Sequence, residues 1–166
     1  MEVYLIRHGI AAERGTYADD DQRPLVKKGR EKTSKVAQYL LTTGLRFERI
    51  LSSPLVRATQ TAEILQQAGL AETTEIFEPL KPGGAIASWL EWLQQYRLEH
   101  HGSKLALVGH QPDLGNWTEL LLGGSIRNQI VVKKAGVIGL ELPAIGTPIA
   151  RSTLFLLTSP KWMINN

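Results

Sequence analysis

The feature that most constrains this chain is the regular alternation of short apolar runs with segments whose apolar residues recur at helical spacing. Val3 to Ile6 are apolar and partly β-branched, and so predict a buried strand. A polar loop follows, from Ala11 to about Pro24. Gly29, Thr33, Val36, Ala37 and Leu40 then trace the inward stripe of an amphipathic helix, which Gly44 can end in a left-handed conformation. Ile50 and Leu51 predict a second strand. The next stretch, "SSPL", predicts a helix capped by Ser53 with Pro54 in its first position, Leu55, Ala58, Ala62 and Leu65 inward, and Gly69 as its stop. Thr74 to Phe77 predict a short third strand. Ile86, Leu90 and Leu93 predict a helix that runs to His100, His101 and Gly102. "KLALVG" at 104–109 reads as a fourth buried strand. Pro112 opens a helix with Leu114, Trp117 and Leu121 inward, and Gly123 and Gly124 break it. "GVIGLEL" and "STLFLLT" predict two closing strands.

Strands separated by helices in this order imply an α/β fold of three layers, α/β/α, around a mostly parallel central sheet. With 166 residues, no internal repeat and no linker, one domain over 1–166 is expected. Cysteine is absent, which excludes disulfides, thiolate catalysis and cysteine-based metal sites and fits a reducing cytosol. No apolar run approaches the roughly 20 residues needed to cross a bilayer, and the N-terminus lacks a basic leader. A cytoplasmic protein without membrane contact is expected. Lysine and arginine (19) exceed aspartate and glutamate (16) by only three, too small a surplus to predict nucleic-acid binding. Lys27, Lys28, Arg30 and Lys32 read as a solvated helix face.

In open α/β sheets the ligand lies beyond the carboxyl ends of the strands. The first strand ends in Arg7, His8 and Gly9, the second leads to Arg57 in the first turn of its helix, and the fourth ends in Gly109 and His110. Two arginines and two histidines thus fall on one edge of the sheet. Guanidinium groups match the paired oxygens of phosphate, and helix N-termini add N–H donors, so a phosphate or sulfate anion is expected here. A neutral imidazole beside them is a competent nucleophile, and the neighbouring cations disfavour its protonation. Gly9 is expected to let backbone and ligand come close. His100 and His101 sit at a predicted helix end and are assigned no chemistry. A zinc site on His8 and His110 would need further ligands at a recognisable spacing, and none is present, so no metal or other cofactor is expected.

"LIRHG" at the N-terminus, "SSPLVRATQTA" at 52–62 and "LVGHQP" at 107–112 resemble the three signatures of the histidine phosphatase superfamily, which includes the phosphoglycerate mutases. The resemblance runs from residue 3 to about 160 and implies a phosphoglycerate mutase-like fold. It makes His8 the nucleophile that becomes phosphorylated, with Arg7, Arg57 and His110 holding the phosphoryl oxygens. "RPLVKKG" at 23–29 and "LKPGG" at 80–84, together with the small size, narrow the resemblance to phosphohistidine phosphatases of the SixA type.

Members acting on phosphate esters generally carry a glutamate a few residues before a glycine in the segment after the third strand, where it protonates the leaving alkoxide. Here that segment reads "FEPLKPGG": Leu80 stands four residues before Gly84, and Glu78 lies two residues away. Asp20, three residues before Arg23, is the acid nearest the rim, and "DDDQR" reads equally as a solvated loop. Gly9, Asp20 and Arg23 are the candidate substrate-binding residues. An imidazole departs more readily than an alkoxide, so a site without a strong acid suits phosphohistidine. Residues 70–103 add little that could roof the site, which suits a phosphohistidine displayed on another protein, such as a phosphotransfer domain of a signalling relay. A small-molecule phosphomonoesterase or mutase is the alternative, and a phosphoprotein-binding module without turnover is a third reading, disfavoured by the intact His8. A monomer is expected.

Overall fold

The computed structural model describes residues 1–100 and 102–164, so His101 lies outside the described residues. Six strands form one sheet: β1 (Glu2–Arg7), β2 (Arg49–Ser52), β3 (Thr74–Ile76), β4 (Lys104–Gly109), β5 (Val137–Glu141) and β6 (Thr153–Thr158). Their spatial order is β3-β2-β4-β1-β5-β6. β1 to β4 run parallel, and β5 and β6 join antiparallel to their neighbours. Five helices flank the sheet: α1 (Lys27–Thr42), α2 (Val56–Gln67), α3 (Ile86–Tyr96), α4 (Asp113–Gly123) and the short α5 (Pro160–Ile164).

Successive side chains of a strand point to opposite faces, so one run of apolar residues serves two cores. Tyr4 and Ile6 of β1 face Val36, Ala37 and Leu40 of α1 and Ala58, Ala62 and Leu65 of α2. Val3 and Leu5 face Trp89 and Leu93 of α3 and Leu114, Trp117 and Leu121 of α4. The three-layer α/β/α arrangement expected from the sequence is therefore present, with β1 and β4 buried in its centre.

Two helix boundaries and one inward stripe differ from expectation. Ser53 does not cap α2: its N–H donates to the Val108 carbonyl (2.9 Å), prolonging the β2–β4 ladder, and the helix begins at Val56 behind an uncapped Leu55. Helix α3 ends at Tyr96, four residues before His100. His100 instead stacks on the Tyr96 ring (centroids 4.1 Å apart) and pairs through Nδ1 with Glu48. The inward stripe of α3 is Trp89, Leu93 and Tyr96, with Ile86 and Leu90 at its margins.

Candidate active site

Parallel register brings the first and fourth strands to the same edge. Arg7 lies opposite Gly109, so the residues that follow them, His8 and His110, become neighbours with ring centroids 5.1 Å apart. His8 N–H donates to the Gly109 carbonyl (3.1 Å) and locks this pairing one residue beyond β1. The β2 edge adds Ser53 and the first turn of α2 adds Arg57. His8, Arg23, Ser53, Arg57 and His110 are all buried.

The tautomer of His8 follows from its partner. Nδ1 lies 2.7 Å from the Gly9 carbonyl, which can only accept, so Nδ1 carries the proton and Nε2 keeps its lone pair. Burial, then the neighbouring His110, Arg57 and Arg7, pulls the pKa of His8 down to about 3. His110 falls to about 4, by burial and then the charges of Arg57 and Arg7. Both rings are therefore neutral at pH 7. His110 Nε2 meets the Ser53 hydroxyl at 2.8 Å.

The cations are anchored in part by backbone. Arg7 donates from Nη1 to the Val132 carbonyl (3.0 Å), and its Nε has no acceptor among the described residues. The segment that supplies Val132 is itself fastened to the site, since Ala135 N–H reaches the Arg7 and His8 carbonyls (3.0 and 3.2 Å). Arg57 donates from Nη1 to the Asp20 carbonyl (2.7 Å) and from Nη2 to its carboxylate (3.1 Å), while its Nε also lacks an acceptor. Arg23 grips the same carboxylate through Nε and Nη2 (2.7 and 3.2 Å) and holds the Ala12 carbonyl with Nη1 (2.6 Å). The hydrogen bonds from Arg23, with the charges of Arg23 and Arg57, keep the Asp20 carboxyl below the usual carboxylate range. The polar loop that reads equally as a solvated segment thus carries Asp20 into the cationic cluster on a short 3-10 turn, Asp20–Gln22.

Gly9 also makes a close packing contact with α1. A side chain there would run into Thr33 Oγ1 and crowd the Gly29 carbonyl at 3.3 Å, so glycine permits that approach. Its N–H donates to Thr61 Oγ1 (3.0 Å), which in turn donates to the Arg57 carbonyl (2.7 Å) and ties the end of β1 to α2. Glu78 is exposed at the start of a 3-10 turn, Glu78–Leu80, and pairs with Lys81 Nζ at 2.8 Å. Leu80 is buried, and its Cδ2 lies 3.7 Å from where a Cβ on Gly109 would stand. The position expected for an acid is thus apolar and packed beside the end of β4.

The sequence assigns Ser53 a cap and gives Thr61, Gln111 and Glu119 no individual role. Glu119 accepts hydrogen bonds from the N–H groups of Arg127, Asn128 (2.8 Å), Gln129 (2.5 Å) and Ile130 (2.8 Å). Gln111 then donates to the Ile130 carbonyl (3.0 Å) and accepts from Val132 N–H (3.3 Å). These two side chains shape the segment that holds Arg7. The adjacency of Gln111 to His110 was the only available signal.

Residues 3–80 match the profile of the histidine phosphatase superfamily (branch 1). The chain is 33% identical to the phosphohistidine phosphatase SixA of Escherichia coli strain K12 over 116 residues, covering 69% of this chain and 70% of that one. This chain belongs to the histidine phosphatase superfamily. Another relative, an uncharacterised protein of Picosynechococcus, is 48% identical over 99% of both chains. A solved structure of the protein histidine phosphatase SixA complexed with tungstate superposes with a TM-score of 0.83 at 26% identity, covering 96% of this chain and 97% of that one. The fold and the phosphatase class implied by the three sequence motifs therefore stand for this member of the histidine phosphatase superfamily.

Proposed function

We propose that this chain is a phosphohistidine phosphatase whose nucleophile is Nε2 of His8. The lone pair of Nε2 attacks phosphorus, forming an N–P bond to the enzyme as the bond to the substrate imidazole breaks. The departing imidazole leaves neutral, its other ring nitrogen having taken a proton from solvent water. Water then attacks the phosphorylated His8, releasing inorganic phosphate and returning the electron pair to Nε2. Arg7, Arg57 and His110 are assigned to the non-bridging oxygens. Positively charged guanidinium donors suit charge that grows on those oxygens in the transition state. Arg23 and Asp20 are assigned to the rim, where Asp20 holds Arg57 in place.

The observation that carries this reading is the apolar acid position. Leu80 is packed where an ester hydrolase would keep a proton donor, Glu78 turns to solvent with Lys81, and Asp20 is held ionised by Arg23. A leaving alkoxide would meet no strong acid, whereas an imidazole leaves without one. A phosphohistidine on another protein also suits the segment between β3 and β4, whose described residues form just the 3-10 turn and α3. The likeness to SixA adds to this assignment. A soluble phosphotransfer partner, a cytoplasmic location and a role in signalling belong to the same reading.

A substrate panel tests it. At equal concentration, a phosphohistidine protein should turn over fastest, an activated aryl phosphate more slowly, and an alkyl phosphate slower again by on the order of a hundredfold, the usual worth of a general acid. Label trapped during turnover should be acid-labile and sit on Nε2 of His8. Equal rates on alkyl and aryl phosphates would instead identify a phosphomonoesterase with an acid elsewhere.

A further inference from the structure

The sheet ends at β6, and among the described residues no strand pairs with the outer side of that strand. Edges of this kind are usually guarded by a charged side chain or a proline, because their free N–H and C=O groups can pair with a further strand. From Ser152 to Ser159 this edge reads STLFLLTS, with neither charge nor proline. Its apolar side chains stand open to water: Leu154 is 38% exposed, and Phe155 and Leu157 are each 48% exposed. Trp162 of α5, 70% exposed, stands beside them, and with Phe155 and Leu156 it lines a groove against Tyr39 and Leu40 of α1.

A bulge sets the faces of β6. Leu156 lies opposite Gly139 and Leu154 opposite Leu140, which leaves Phe155 as the extra residue. Thr153, Leu156 and Thr158 oppose Glu141, Gly139 and Val137, whose own partners Glu2, Tyr4 and Ile6 mark the face covered by α1 and α2. Phe155 turns to that face as well, with its ring edge-on to Tyr4 and the centroids 5.6 Å apart. Leu154 and Leu157 oppose Leu140 and Ile138 on the face covered by α3 and α4. In a regular strand positions 154 and 157 would lie on opposite faces. The bulge puts them on one, so the order of faces from Thr153 to Thr158 is the same from either end. The sequence has the same mirror order, serine, threonine and leucine on each side of a central Phe155 and Leu156. A bulge alone blunts an edge; this one makes the edge complementary to itself.

We propose that β6 is an interface with a second copy of this chain, the two strands running antiparallel about a two-fold axis that passes between Phe155 and Leu156. Residues directly opposite in an antiparallel pair share a face. The axis sets Thr153 against Thr158, Leu154 against Leu157 and Phe155 against Leu156 of the second copy, and the bulge makes all three pairs agree in face. A two-fold contact requires a self-complementary patch, whereas a foreign strand requires only a bare edge, so the mirror order selects the copy. With a whole aromatic side chain offering about 150–250 Å², Leu154, Phe155, Leu157 and Trp162 expose on the order of 400 Å² per copy. Two copies with their paired main chains would thus remove roughly 1,000 Å² from water, enough for a specific interface. The chain is then a dimer rather than the monomer expected from its sequence. Because β6 runs parallel to β1, the axis sends the two His8 ends to opposite margins of the joined sheet.

Sedimentation velocity of the full chain across a concentration series should give the mass of two chains. Leu157→Lys, at an exposed position, should keep its circular dichroism spectrum and raise the dissociation constant by at least about tenfold, since each dimer loses two leucine contacts. The chain has no cysteine, so introduced thiols report the register. A mixture of Leu154→Cys and Leu157→Cys should form a disulfide-linked dimer under mild oxidation. Either variant alone should stay unlinked, because each thiol then faces a leucine and its twin lies beyond the reach of about 7 Å between Cα atoms. The mass of one chain at every concentration would overturn the proposal and leave the edge to a strand of another protein. A dimer that Leu157→Lys leaves intact, or linking of either single variant to itself in place of the mixed pair, would overturn it as well. None of these readouts depends on phosphatase turnover, so the outcome is independent of the substrate reading.

Discussion

Arg57 shows how much one side chain is asked to do at this site. Its two Nη groups point in a fixed fork to the Asp20 carbonyl and carboxylate, and its buried Nε has no acceptor among the described residues. The planar guanidinium can keep that fork on Asp20 and still offer a phosphoryl oxygen a further donor at a fixed angle. Lysine keeps the charge and loses the fork, so Arg57→Lys should lower kcat on the order of a hundredfold, comparable to removing an oxyanion donor. Near-normal steady-state turnover in that variant would mean that Arg57 supplies only positive potential. The clustering of Arg7, His8, Arg57 and His110 was legible in the sequence because each stands at an element boundary. Ser53 was not, because a serine before a proline and a helical stripe also carries every mark of a helix cap. Only the β2–β4 register shows that its hydroxyl belongs to His110.

At the scale of elements, the central strands announced themselves because their side chains are buried on both faces and so leave continuous apolar runs. The segment from Gly124 to Gly136 left no such trace. It contains no regular element, and its shape comes from one carboxylate, Glu119, gathering four successive backbone N–H groups. Residue periodicity cannot reveal a contact between a helix side chain and the backbone of a following loop. That segment delivers the Val132 carbonyl to Arg7 and the Ala135 N–H to the end of β1. Glu119→Gln replaces one acceptor oxygen by an N–H₂ donor that faces the loop's own donors. The variant should keep its sheet and helices by circular dichroism, melt at a lower temperature, and lose kcat more than KM rises, because Arg7 is misaligned for the transition state rather than removed. Unchanged kcat alongside a lowered melting temperature would separate the loop from the chemistry and restrict it to stability.

The molecule as a whole pays for its site in acid stability, and the sign of that cost can be worked out. His8 and His110 have folded pKa values of about 3 and about 4, while an unfolded histidine titrates near 6.5. Above about pH 6.5 both are neutral in either state, and their burial costs nothing in protonation. Below it the unfolded chain binds two protons that the folded chain refuses, so stability falls with pH until the folded pKa values are reached. The slope should approach about 1.4 kcal/mol per pH unit for each of the two histidines. Carboxylates with lowered folded pKa values, Asp20, Glu2 and Glu119, act with the same sign but only from about pH 4.5 downward, where unfolded carboxylates begin to titrate. The interval between about pH 6.5 and 5 therefore separates the two buried histidines from the carboxylates. Denaturant melts across that interval should show wild-type stability falling steadily, and His8→Asn should fall about half as steeply, since one of the two refused protons is gone. Identical slopes in the two proteins would mean that His8 is solvated enough to protonate in the folded state. In that case the neutral Nε2 on which nucleophilic attack depends would exist only above its ordinary pKa.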